Sequence, residues 1–159
     1  MRYQSITYPD VNNGLGFRVV LWVSGCTHHC KGCQNSETWD FSSGREFTED
    51  VKNTIFDLLS LPYIKGFTLS GGDPLDSYND VLALTKEVKE KFPNKDIWLY
   101  SGYTIDEVIN SGREEILDYV DYFVDGEYKE ELRDLTLKFR GSKNQKIYLH
   151  KEFCEDMNS

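Results

Sequence analysis

Cys26, Cys30 and Cys33 fall within eight positions of each other, in the segment Gly25-Cys26-Thr27-His28-His29-Cys30-Lys31-Gly32-Cys33, with the spacing C-x3-C-x2-C. Three thiolates on one short loop can hold three corners of a 4Fe-4S cubane, because thiolate sulfur and iron-sulfur centres are both soft partners. A fully ligated cluster needs a fourth cysteine. Three leave one iron open, and an open iron can bind and reduce a substrate. The competing assignment is a structural zinc site, with His28, His29, His150 or Cys154 as fourth ligand. That site would belong to a small interaction module without catalysis. Three cysteines buried as small hydrophobes fit poorly, because histidine, lysine and glycine lie between them. Cys154 stands alone near the C-terminus and reads as incidental.

The loop needs a scaffold, and the apolar pattern supplies one. Phe17 to Val23 is a nearly continuous apolar run broken only by Arg18, as suits a parallel strand covered on both faces. A helix is expected from near Thr48, with Val51, Ile55, Leu58 and Leu59 at helical spacing and Pro62 ending the pattern. Gly66 to Ser70 reads as a second strand. Ser77, with Asp80 three positions on, reads as the cap of a second helix whose inner face is Val81, Leu84 and Val88 and which Pro93 closes. Ile97 to Tyr100 is a third strand, Thr104 with Glu107 a capping box before Val108 and Ile109, and Val120 to Val124 a fourth strand. Lys146 to Leu149 is a candidate last strand, and residues 3 to 8 a candidate edge strand.

Strands alternating with helices imply an α/β fold with a mostly parallel sheet. A closed eight-stranded barrel takes about 250 residues. With 159 residues the chain suits a single domain, 1–159, built as an incomplete open barrel or an open sheet. In either, chemistry belongs at the carboxyl ends of the strands. The cysteine loop follows the first strand. Ser70-Gly71-Gly72-Asp73-Pro74 follows the second, where the glycines permit a tight turn and Asp73 could meet a cationic group; the plain alternative is an ordinary Gly-Asp-Pro turn. Tyr100-Ser101-Gly102-Tyr103-Thr104 ends the third strand and could line the same mouth, or serve only as a strand-to-helix turn. Asp125-Gly126 ends the fourth, and a lone aspartate before glycine is commonly a turn former. Trp39 and Trp98 read as packing residues, and Lys86 to Lys91 as a solvated helix face.

Composition narrows the partners. Hydrophobic residues make up 39% and aromatic residues 14%, enough for a packed core. The net charge of -9 disfavours direct nucleic-acid binding, since an acidic chain repels phosphates. The apolar stretch around Val19 to Val23 is far too short to span a bilayer, and the N-terminus opens no apolar signal region. No membrane association and a cytoplasmic location are therefore expected.

C-x3-C-x2-C after the first strand resembles the signature of the radical S-adenosylmethionine (SAM) superfamily. The wider pattern Gly16-x-Arg18-x4-Val23-x-Gly25-Cys26-x3-Cys30-x2-Cys33-x-Asn35-x2-Thr38-Trp39 is similar to the anaerobic ribonucleoside-triphosphate reductase-activating proteins. The similarity continues through Gly71-Gly72-Asp73-Pro74 to Arg140-Gly141-Ser142-x-Asn144-Gln145 and so covers nearly the whole chain. The resemblance implies an open (βα) barrel of the radical SAM type. It implies a 4Fe-4S cluster on Cys26, Cys30 and Cys33, and SAM held at the open iron and cleaved reductively. SAM contacts would come from Gly32, Cys33, Gln34, Gly71, Gly72 and Asp73, with the Gly-Gly-Asp turn taking the amino group. Gly32 stands where many superfamily members carry an aromatic residue against adenine, so adenine contact there passes to the backbone or to Gln34. The implied activity is installation of a glycyl radical on a glycine loop of the reductase's large subunit, with a flavodoxin-like electron donor. Activation of another glycyl-radical enzyme, of the formate-lyase type, is the related alternative.

Overall fold

A computed structural model describes residues 1–10, 14, 16–25, 44–126 and 144–149. They form β1 (Arg2–Asp10), β2 (Arg18–Val23), β3 (Arg45–Glu46), α1 (Glu49–Leu59), β4 (Gly66–Gly71), α2 (Tyr78–Lys91), β5 (Asp96–Tyr100), α3 (Ile105–Asn110), β6 (Tyr122–Asp125) and β7 (Lys146–Leu149). Two 3-10 turns, Pro74–Ser77 and Glu114–Asp118, precede α2 and β6.

The strands make one seven-stranded sheet in the order β3-β1-β2-β4-β5-β6-β7. β2, β4, β5 and β6 are parallel neighbours. Both margins are antiparallel: β1 on β2, β3 on β1, and β7 on β6. The sheet is thus open and mixed, parallel at its centre, and the fold is α/β. Each crossover from β2 to β6 steps one place in the same direction. With a common crossover hand, that order keeps the helices on one face. The side chains agree. Val19, Leu21 and Val23 of β2 share one core with Phe67 and Leu69 of β4, Ile97 and Leu99 of β5, and Phe123 of β6. Ile55 and Leu59 of α1, Val81, Leu84 and Val88 of α2 and Val108 of α3 fill the same core.

The opposite parity builds a second face from Arg18, Val20, Thr68, Trp98, Tyr100 and Tyr122. Arg18, the one break in the apolar run of β2, is fully buried there. Its Nε donates to Thr68 Oγ1 at 2.7 Å, its Nη2 donates to the Phe67 carbonyl at 2.9 Å, and Nη2 lies 2.6 Å from Asp96 Oδ1. Arg18, Gly66 and Asp96 are successive partners across three strands. Gly66 keeps the path open, because a Cβ there would collide with Asp96 and the guanidinium. Burial pushes the Arg18 pKa down while Asp96 pulls it back up, and the group stays charged.

Local signals explain the helices. Thr48 caps α1 by accepting from the Val51 amide, and Glu49 and Asp50 complement its amino end. Thr104 and Glu107 complete the capping box of α3. Ser77 departs from expectation: it precedes α2 without a side-chain cap bond, because Asp73 caps the Pro74–Ser77 turn ahead of it. The fourth parallel strand begins at Tyr122 rather than Val120, since the Glu114–Asp118 turn occupies the chain just before it. Trp98 packs as expected, 1% exposed and stacked on Tyr122. Two lysines of α2 form ion pairs, Lys86 with Glu115 and Lys89 with Asp121, and Lys91 lies over the Phe56 ring. No helix among the described residues is long and apolar enough to cross a membrane.

Candidate functional site

Parallel pairing brings the ends of β2, β4, β5 and β6 to one edge of the sheet. There the turns are stitched in sequence. The Gly72 amide donates to the Val23 carbonyl at 2.8 Å and the Asp73 amide to the Gly25 carbonyl at 2.8 Å. The turn after β4 is therefore clipped to the two residues that lead β2 toward Cys26. Gly71 makes this approach possible. Its φ is 111°, and a Cβ would lie 2.5 Å from both the nitrogen and the oxygen of Val23.

Asp73 carries the next link. Its carboxylate is fully buried. Oδ1 accepts from the Leu75 amide at 3.0 Å and from Ser101 Oγ at 2.9 Å; Oδ2 accepts from the Gly102 amide at 2.8 Å and lies 3.1 Å from the same hydroxyl. Ser101 Oγ in turn accepts from the Tyr103 amide at 3.1 Å. The Tyr103 hydroxyl donates to Asp76 Oδ1. The rim continues onto β6, where the Ser101 amide donates to the Val124 carbonyl at 3.0 Å and the Ile105 amide to Asp125 Oδ2 at 3.4 Å. Gln145 Nε2 then reaches the Gly126 carbonyl at 3.0 Å.

Of the residues singled out by sequence, Gly71, Gly72 and Asp73 thus sit together beside the stem of the cysteine loop. The two amides and the hydroxyl named above are neutral groups of the fold. Cys26, Cys30, Cys33, Gly32 and Gln34 lie outside the described residues, as do Trp39, Cys154, the three histidines and most of Arg140 to Gln145. Among the described residues no group of three His, Cys, Asp or Glu side chains could hold a metal. The three-thiolate set Cys26, Cys30 and Cys33 fits a 4Fe-4S cluster with one open corner by its donor chemistry. The Ser101–Asp73 and Tyr103–Asp76 pairings join residues 28 and 27 positions apart, which local spacing does not reveal. The only sequence sign of Ser101 is its place at the end of a parallel strand.

The architecture defines an α/β protein in which the cysteine triplet follows the carboxyl end of β2 in sequence. A family model described as a 4Fe-4S single cluster domain matches residues 12–148. Three relatives, each an anaerobic ribonucleoside-triphosphate reductase-activating protein, extend the match over most of both chains. The Vibrio cholerae protein is 45% identical over 93% of this chain and 97% of its own. The Salmonella typhimurium protein is 41% identical over 93% and 98%, and that of Enterobacteria phage T4 is 43% identical over 93% and 94%. The chain belongs to the family of anaerobic ribonucleoside-triphosphate reductase-activating proteins.

Proposed function

We propose that this chain activates an anaerobic ribonucleoside-triphosphate reductase by generating a radical on one backbone glycine of that enzyme's large subunit. The observation that carries the reading is the pair of short backbone bonds from Gly72 and Asp73 to Val23 and Gly25. They place the Gly-Gly-Asp turn against the residue that precedes the first cysteine, within the span of the iron-sulfur family match. Cys26, Cys30 and Cys33 hold the cluster, which when bound supplies the electron for reductive cleavage of SAM. The Gly71-Gly72-Asp73 turn takes the amino end of SAM, and Gly32, Cys33 and Gln34 contribute to the rest of the molecule.

The one-directional order β2-β4-β5-β6, with helices on a single face, supports an incomplete (βα) barrel of the radical SAM type. Its second face forms the inside, and its carboxyl edge admits the glycine loop of the partner. This chain's residues orient the reactants and exclude water there. A flavodoxin-like protein is the electron donor, and the reaction takes place in the cytoplasm.

The test is anaerobic incubation of the reduced protein with SAM and the matching reductase, followed by electron paramagnetic resonance. A stable glycine-centred radical should appear together with 5′-deoxyadenosine, and deuterium at that glycine's Cα should enter the deoxyadenosine methyl group. Cys26→Ala, Cys30→Ala and Cys33→Ala should each abolish the cluster and the signal, whereas Cys154→Ala should keep both. Deoxyadenosine without a glycyl radical would remove the reductase as partner. Loss of the cluster in Cys154→Ala would remove the open-iron reading.

A further inference from the structure

We infer that Arg2 is a positioning residue for the iron-sulfur cluster, tying together the two flanks of the segment that carries the cysteines. The inference rests on the cluster reading above and deepens it. Cys26, Cys30 and Cys33 lie between Gly25 and Gly44 in the chain. Both flanks of that segment meet the start of β1. On the first flank, the Ser24 amide donates to the Arg2 carbonyl at 3.0 Å. On the second, Arg2 Nη2 donates to the Gly44 carbonyl, and Arg45 and Glu46 of β3 pair with Tyr3 and Arg2. One residue thus binds both flanks, the first through its backbone and the second through its side chain.

The flanks also lie against each other. Gly44 has a φ of 76°, and a Cβ on it would lie 2.2 Å from the Tyr3 carbonyl oxygen and 2.9 Å from Ser24 Oγ. Gln4 Nε2 donates to the same Ser24 hydroxyl at 3.3 Å. β3 is two residues long, exposed, and forms a margin of the sheet. Its ladder is short, and the guanidinium adds a side-chain tie where the backbone supplies few. This matters for a cluster whose three thiolates sit on one segment. Ordering that segment around iron costs conformational entropy, and the cost falls when its ends are already held together. Arg2 lies outside the hydrophobic core, so its loss acts on the flanks more than on the whole fold.

Arg2→Met removes the guanidinium and keeps most of the side chain's length, whereas Arg2→Lys keeps a charged donor. Gly44→Ala strains the same contact from the second flank. The parent and each variant should be reconstituted with iron and sulfide under anaerobic conditions. Iron release to excess chelator should be followed through the visible charge-transfer absorption, and the stability of the iron-free protein by urea unfolding. Arg2→Met should release iron about fivefold faster than the parent, the factor set by one hydrogen bond of ordinary strength. Arg2→Lys should restore the rate to within about twofold of the parent. Gly44→Ala should also release iron faster, because its Cβ pushes the flanks apart. The urea midpoint of Arg2→Met should fall by no more than about 0.5 M. A larger fall, or failure to fold, would overturn the inference, since Arg2 would then serve the whole fold rather than the cluster. Iron release from Arg2→Met at the parent's rate would also overturn it and leave the cluster reading intact. A parent that takes up no iron would remove the cluster reading and the inference together.

Discussion

The two ends of the parallel strands are tied in opposite ways. At the amino end, Arg18 of β2 reaches over Gly66 of β4 to Asp96 of β5, so a fully buried guanidinium is neutralised by a carboxylate that stays 19% exposed. At the carboxyl end, Asp73 is held by amides and a hydroxyl, and the turns meet through backbone groups. A glycine of β4 makes each arrangement possible: Gly66 under the ion pair, Gly71 against Val23. An ion pair made through the long arginine side chain fixes strand spacing and tolerates small shifts of the backbone. Short bonds between turns fix the backbone itself. The second kind of tie is the one a cofactor site needs, because ligand groups on loops are only as well placed as their stems.

The largest expected effect comes from breaking the amino-end tie. Arg18→Met leaves Asp96 beside an apolar side chain and removes the bonds to Thr68 and Phe67. It should cost about 3–5 kcal/mol of stability, read from urea unfolding. Where the variant remains folded, its SAM affinity should stay within about twofold of the parent. A matching loss of SAM affinity would erase the contrast between the two ends.

Gly71→Ala attacks the other end. It places a Cβ 2.5 Å from Val23 at a φ of 111°, so the turn or the stem must move. A stability loss of about 2 kcal/mol is expected, smaller than for Arg18→Met. Unlike Arg18→Met, it should also lower the iron content of reconstituted protein, because Val23 and Gly25 lead into Cys26. Full iron loading at reduced stability would show that the stem is not held by this turn.

The contrast also marks what could be read from sequence. The apolar runs of β2, β4 and β5, and the caps Thr48 and Thr104, depend on neighbours within a few residues and were legible. The placement of the Gly-Gly-Asp turn at the carboxyl end of the strands, where it meets Val23 and Gly25, followed from the alternation of strands and helices. The sequence did not reveal that Arg18 is buried with a partner 78 positions away, because an isolated arginine in an apolar run looks the same whether it is paired or exposed. Nor did it reveal the direction of the Asp73 carboxylate. Asp-Pro suits both a ligand-facing turn and a cap, and the bond from Ser101 to Asp73 exists only through three-dimensional contact. The two-residue β3 and the antiparallel course of β7 were equally silent, since pairing direction leaves little trace in strands of two and four residues.

Tyr100 tests the boundary between the two ends and carries the smallest effect. It lies on the second face of the sheet, stacked near Trp98, with its hydroxyl buried and without a hydrogen-bond partner among the described residues. Burial pushes its pKa above the ordinary value of 10, and nearby Arg18 only partly opposes the shift. A raised native pKa means that above pH 10 the unfolded chain has released this proton while the native one keeps it. The native state then binds more protons, so stability falls as pH rises. The contribution is fully present below pH 10 and is lost above it. Tyr100→Phe removes both the unsatisfied hydroxyl and this titration. At neutral pH the variant should be as stable as the parent or more so, by up to about 1 kcal/mol. Its stability should also decline less steeply between pH 10 and 11, measured by urea unfolding at each pH. A loss of more than 1 kcal/mol at neutral pH would mean that the hydroxyl supports one of the two ties.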